Sequence, residues 1–385
     1  MRYSQPSPLP VLILPCIRSP ICYEAIWKTD STGTRELCAS LNTDRVEILG
    51  NYIEYLKLFD EVAVQRYKQT AFEVSIMASP GRSYRNGITL LQLTDMFPDE
   101  ESARKWFEGV HWPDGELFCL RCGSENVYRC KHKEMPFRCR DCKKYFSVKT
   151  GTAIQASNLP LQTWVWAIYL ESTSLKGISS MKLHRDLGIT QTTAWFMLQR
   201  IREGLVPNMG AFEGPVEVDE AYFGGLEKNK HNSKKANLGR GPAGKTAVVG
   251  MKDRATGQIK AQVIERTDKA TLGGFVDENA IEGAQLYTDS ATAYKNINRP
   301  HETVKHSISE YVNGQAHING VESFWAVLKR AYHGVYHHVS KKHLNRYVAQ
   351  FAGKHNLRDY DTETQMQHIV AGMVGRKVLY RELVE

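Results

Sequence analysis

The stretch VEVDEAYFGG, residues 216–225, opens on apolar–polar alternation and closes on a glycine pair. Alternation with period two marks a strand with one face against a core, so a strand ending in the acid Asp219 is expected, with residues 222–225 turning away. Downstream, residues 246–251 and 258–264 are apolar runs around Asp253-Arg254-Ala255-Thr256-Gly257, the turn chemistry of an antiparallel hairpin. Residues 269–279 read as a helix, and 286–289 as another short strand ending in an acid, Asp289. Residues 319–332 have the spacing of an amphipathic helix, continued by 343–351. This order predicts an α/β domain over 211–360, with a mixed sheet and packed helices.

Two carboxylates at strand ends and one on a helix, Glu322, can converge at one sheet edge. Such a set can hold two divalent ions for in-line phosphoryl displacement, and hard oxygen ligands select Mg²⁺ or Mn²⁺ over zinc. The competing reading is that these acids simply end strands. Asn319, Glu322 and Lys329 stand at helical spacings that put them on nearly one face, while Trp325 and Leu328 belong to the adjoining core-facing stripe. Asn319 is a rival to Glu322 for the third metal position, or else caps the helix or orients DNA. Charge favours Glu322, because three carboxylates balance two divalent ions better than two and an amide do.

Upstream, four cysteines form Cys119-x2-Cys122 and Cys139-x2-Cys142, with sixteen residues between the pairs. That spacing suits a structural zinc site built from two knuckles, with a disulfide pair as the alternative. Cys130 reads as a spare thiol, and Cys16, Cys22 and Cys38 have no recognisable spacing. The segment 119–149 carries nine Lys/Arg against three acids. Residues 161–205 are helical by periodicity. A helix at 178–187, punctuated by Gly188-Ile189, precedes one opening at Thr190, the cadence of a helix-turn-helix whose first turn (Gln191, Thr192, Thr193) would face base edges. An ordinary helical hairpin is the other reading.

The whole chain has 385 residues, 42% hydrophobic and 24% charged, with 50 Lys/Arg against 42 Asp/Glu and a net charge of +8. These values exclude wholesale disorder, collagen and coiled coil. No apolar run approaches the ~18 residues of a membrane span, and residues 11–17, interrupted by Pro15, make a poor signal peptide; a cytoplasmic protein with no membrane partner is expected. Residues 323–358 carry seven Lys/Arg, five His and no acid, interleaved with aromatics, which suits a polyanion; a solvated basic helix face is the alternative. The polar insertion 226–245 holds Lys228, Lys230, Lys234, Lys235, Arg240 and Lys245 against Glu227 alone, and reads as a mobile DNA-contacting loop. Prolines punctuate the start of the chain; one amphipathic helix is expected at 45–68 and a linker at 79–83.

The stretches VEVDEAYFGG, YTDSATAY (287–294) and the long run HINGVESFWAVLKRAYHGVYHHVSKKHLNRYVAQFAGKHN (317–356) closely resemble insertion-sequence transposases of the ISXO-like group. Residues 88–115 and 177–201 extend the resemblance, which covers roughly 88–358. It implies a multidomain α+β chain with a small zinc ribbon, a helix-turn-helix-like region and an RNase H-like catalytic domain with a mixed five-stranded sheet. It assigns catalytic metal binding to Asp219, Asp289 and Glu322, with Asn319 as rival because members carry an acid or an amide there. It identifies Cys119, Cys122, Cys139 and Cys142 with the zinc ligands; apart from the resemblance, Lys329, seven residues after Glu322 on the same helix, and Arg330 are expected to be cations toward DNA. The expected domains are an unassigned extension 1–84, a helical lead-in 85–118, the ribbon 119–150, a helix-turn-helix-like region 151–210, the catalytic domain 211–360 and a C-terminal tail 361–385. Residues 1–76 have no counterpart, and translation from Met77 is expected. The function implied is cleavage and strand transfer at terminal inverted repeats by a dimer or larger synaptic complex on DNA. Two alternatives stay open: a catalytically silent DNA-binding regulator, and a metal-dependent nuclease or resolvase.

Overall fold

The computed structural model describes residues 26–29, 35–38, 87–132, 134–225, 231–235, 244–289, 294, 299–304 and 317–385. The chain divides into two units, Met1–Gly81 and Arg82–Glu385. In the first, β1 (Ile26–Thr29) pairs antiparallel with β2 (Arg35–Cys38). The helix expected at 45–68, the linker at 79–83, Cys16, Cys22, Lys228, Lys230 and Arg240 lie outside the described residues.

The second unit opens with α1 (Leu90–Met96) and α2 (Glu100–His111), started by capping boxes at Thr89 and Asp99. In each, the cap side chain accepts an otherwise orphaned N–H and the third helical residue bonds back to the cap backbone. A three-stranded antiparallel sheet follows, β3 (Val127–Arg129), β4 (Phe137–Cys139) and β5 (Tyr145–Phe146). Next come α3 (Leu161–Thr173), α4 (Ser180–Leu187) and α5 (Gln191–Gly204). Ser179 caps α4, which is why this helix starts two residues after Ile178, and Gly188 ends it at φ 64°, a left-handed turn that glycine adopts without steric cost. Trp112, Phe137, Phe146, Trp164, Ile168, Leu183 and Met197 share one core. The C-terminal α9 (Thr362–Gly372) adds Met366, Ile369 and Val370 to it, and α10 (Tyr380–Val384) ends the chain. The segment set apart above as a tail is therefore built into this first core.

The second core surrounds a five-stranded mixed sheet in the order β10-β9-β6-β7-β8. Its strands are β6 (Val216–Phe223), β7 (Thr246–Asp253), β8 (Ile259–Ile264), β9 (Leu286–Asp289) and β10 (His301–Val304). β6–β7 and β7–β8 are antiparallel; β6–β9 and β9–β10 are parallel. Val216, Val218, Val249 and Met251 pack with Leu272, Phe275 and Val276 of α6 (Lys269–Asn279). Ala221, Phe223 and Val248 pack against α7 (Asn319–Ala331) and α8 (Lys341–Asn356). Both faces are thus covered.

Three local expectations change. β6 does not end at Asp219: all eight of its residues pair with β7, because Ala221 and Phe223 continue the alternation into a buried face. Asn319 does not cap α7; Ile318 holds that position with no side-chain bond. And α7 does not run on into α8: Tyr332–Tyr336 form a π turn, and His337 takes φ 56°, which breaks the helix.

Candidate active site and zinc centre

Sγ of Cys119 lies 3.7 Å from that of Cys142, and Cys122 Sγ lies 3.7 Å from Cys139 Sγ. All four sulfurs fall within 4.8 Å of one another. Zn–S bonds of about 2.3 Å in a tetrahedron put sulfurs about 3.8 Å apart, so this donor set fits zinc and is far too open for a disulfide. Each pair sits on a tight turn whose amides aim back at the first sulfur, Arg121 N–H toward Cys119 (3.4 Å) and Cys142 N–H toward Cys139 (3.5 Å). The residue after each knuckle is left-handed, Gly123 at φ 74° and Lys143 at φ 58°. Burial pushes the Cys119 thiol up to about 12, a cost that a bound cation removes by stabilising the thiolate. Cys130 stands outside the cluster, its thiol donating to the Met135 carbonyl (3.4 Å).

Asp219 lies mid-strand in β6 and Asp289 at the end of β9. β6 and β9 pair in parallel at Val216–Leu286 and Glu217–Tyr287, and Asp219 and Asp289 each lie two residues beyond the last of these pairs. Glu322 is exposed in the first turn of α7. One turn of α7 is held over β7 by Trp325: a Cβ on Gly250, the residue opposite Asp219, would come within 2.6 Å of that ring. Burial first, then the like charges of Asp289 and Glu322, raise the Asp219 carboxyl to about 6. The Trp325 indole N–H opposes this shift by favouring the charged form. Glu220 points to the α6 face, accepts the hydroxyl of the buried Tyr294, and is raised to about 7, chiefly by burial and then by Asp219 and Asp289. Hard oxygen donors that repel one another in a half-buried site are a donor set suited to divalent cations.

Asn319 is exposed one turn before Glu322, and Lys329 and Arg330 are exposed at the far end of α7. In α5, Gln191 and Thr192 are exposed while Thr193 is half-buried and bonded to the Thr190 cap (2.8 Å). Gln191 Nε2 donates to Ser180 Oγ (2.9 Å), tying the two helices of the hairpin together. Lys235 Nζ donates to Asn232 Oδ1 (2.8 Å) beside the 3₁₀ turn Asn232–Lys234.

Sequence reasoning passed over Glu217. Its side chain is 2% exposed, and it receives Arg254 Nε at 2.9 Å and the Val321 backbone N–H at 3.0 Å. The available signal was an acid between Val216 and Val218 in a strand covered on both faces, which demands a partner.

Comparison with known proteins gives two family matches. Residues 98–145 match a transposase zinc-ribbon domain, and 211–356 an ISXO2-like transposase domain. A relative from Halobacterium salinarum, named an uncharacterized protein in transposable element ISH50, is 27% identical over 270 residues, covering 66% of this chain and 90% of that protein. Among the described residues, no helix is long and apolar enough to cross a membrane. The two matches, a transposase zinc ribbon followed by an ISXO2-like transposase domain, are the pairing to which the chain's resemblance to ISXO-like insertion-sequence transposases pointed.

Proposed function

We propose that the chain binds the terminal inverted repeats of its own mobile element and catalyses metal-dependent strand cleavage and strand transfer there. The observation that carries this reading is that Asp219 on β6, Asp289 on the paired strand β9 and Glu322 in the first turn of α7 all fall within residues 211–356, which match an ISXO2-like transposase domain. These three carboxylates would hold two Mg²⁺ (or Mn²⁺) ions, with Asn319 beside them. When bound, such ions activate water or a 3′-hydroxyl and neutralise the leaving oxygen. The chain's own groups bind and orient: Lys329 and Arg330 extend from the same helix as Glu322 and neutralise the phosphates flanking the reacting one. The ribbon and the first turn of α5 hold the element end. Both ends react together, so a dimer or larger synaptic assembly on DNA is expected.

The test is cleavage of a duplex carrying the element end. Glu322→Gln should abolish Mg²⁺-dependent nicking with end binding intact, and Asn319→Ala should only slow it. Nicking that survives in Glu322→Gln and vanishes in Asn319→Ala would assign the third position to the amide.

A further inference from the structure

Three elements carry the candidate metal carboxylates, and one buried cluster ties all three together. Glu217 lies two residues before Asp219 on the same face of β6, and its register partner in β9 is Tyr287, two residues before Asp289. Val321, whose N–H it accepts, immediately precedes Glu322 in α7. Arg254, just past the end of β7, joins the same three parts. Its Nε donates to Glu217 Oε1 (2.9 Å), its guanidinium lies 3.8 Å over the Tyr287 ring, and it donates to the His317 carbonyl ahead of α7.

The helix needs this outside help. α7 has no side-chain cap of its own, so the Val321 N–H is one of the orphan donors of a first turn. The Glu217 carboxylate satisfies it and puts negative charge at the positive end of the helix. Gly320 permits the approach: a Cβ there would stand 2.6 Å from Glu217 Oε2 and 2.8 Å from Lys252 Nζ. Burying a carboxylate this deeply is costly unless its partners are well placed, and an apolar side chain would fill the same space at less expense. A buried pair retained at the junction of the three carboxylate-bearing elements therefore has a use beyond adhesion.

Resting on the metal-site reading above, we propose that Glu217, locked by Arg254, is a positioning residue that sets the spacing of Asp219, Asp289 and Glu322 and thereby the affinity of the site for divalent cations. It touches neither cation nor DNA; it acts through the helix end and the strand pair.

The experiment is Mn²⁺ binding to the full chain, read by the electron paramagnetic resonance of free Mn²⁺, beside the Mg²⁺ dependence of end cleavage. Glu217→Gln keeps the shape and an acceptor for Val321 but loses the charge that holds Arg254. It should weaken Mn²⁺ binding tenfold or more and raise half-saturating Mg²⁺ in parallel, with end affinity changed less than twofold. Gly320→Ala, which keeps Glu217 but sets a methyl group against its carboxylate and so disturbs its bond to the Val321 N–H, should give the same metal defect, and it decides the matter if Glu217→Gln does not fold. Arg254→Lys should fall between. Unchanged Mn²⁺ binding in Glu217→Gln and Gly320→Ala, with binding lost in Asp219→Asn, would leave a merely structural ion pair and overturn the proposal. Unchanged binding in Asp219→Asn would remove the metal-site reading itself, and this inference with it.

Discussion

Asp219 concentrates the electrostatics of the site in one side chain. Its carboxyl is held at about 6, against an ordinary value near 4, by burial and then by Asp289 and Glu322. Because the folded-state value is raised, the native state binds its proton more tightly than the unfolded chain does. The penalty is absent below about pH 4, grows as pH rises toward 6, and is constant above it. In metal-free protein, Asp219→Asn should therefore be more stable than wild type by about 1–3 kcal/mol at pH 7.5, with the difference fading toward pH 4. Urea unfolding at both pH values checks this, and a difference independent of pH would contradict it. Saturating divalent cation should reverse the order, since the variant loses a ligand. The strand around Asp219 was legible from alternation, though not its full extent, and the cysteine cluster was legible from spacing. Glu217 was not, because an acid in an alternating strand looks solvent-facing until both faces are known to be covered.

At the scale of elements, the joint between β7 and α7 sets how near Glu322 comes to the strands. Val321, Phe324, Trp325 and Leu328 form the buried stripe, of which helical spacing announced Trp325 and Leu328, and Trp325 occupies the room left by Gly250. A glycine inside a central strand weakens it and commonly marks a close approach. Here the approaching group is an indole, with two ring atoms 2.6 and 2.8 Å from where a Cβ would be. Gly250→Ala should cost about 1–3 kcal/mol by overpacking. Adding Trp325→Phe should restore part of that loss, so the double variant is less unstable than the sum of the single ones. Denaturant midpoints at constant slope measure the coupling, and strict additivity would mean that the glycine serves some other neighbour. The end of α7 was less readable. Tyr332 prolongs the apolar stripe, so periodicity carried the helix onward, whereas the π turn and left-handed His337 depend on packing that no local pattern encodes.

The two cores of the second unit are joined by a buried polar network that sequence order gave no reason to suspect, since its partners lie far apart in the chain. Glu171 of α3 is 1% exposed and faces Lys354 of α8 at 3.1 Å. Gln350 Nε2 donates to Glu171 Oε1 (2.5 Å) and its Oε1 accepts Arg202 Nε of α5 (2.7 Å). Lys354 also donates to the Ser174 carbonyl (2.6 Å), and the Arg202 guanidinium lies 3.9 Å over the Tyr347 ring. The helices beside the ribbon and those behind the sheet are thereby held in one register, as the proposed division between end binding and cleavage requires. Where apolar stripes would let the cores slide, a hydrogen-bonded ion pair accepts one geometry. Removing one partner strands a buried charge, at about 3–5 kcal/mol, while removing both leaves little uncompensated. Lys354→Met should accordingly lower stability by that amount and split one calorimetric transition into two. Glu171→Gln combined with Lys354→Met should recover most of the loss, because the amide introduced by the first substitution still offers Gln350 an acceptor. A single transition in Lys354→Met, within about 1 kcal/mol of wild type, would show that the apolar contacts alone join the cores and that the network is incidental.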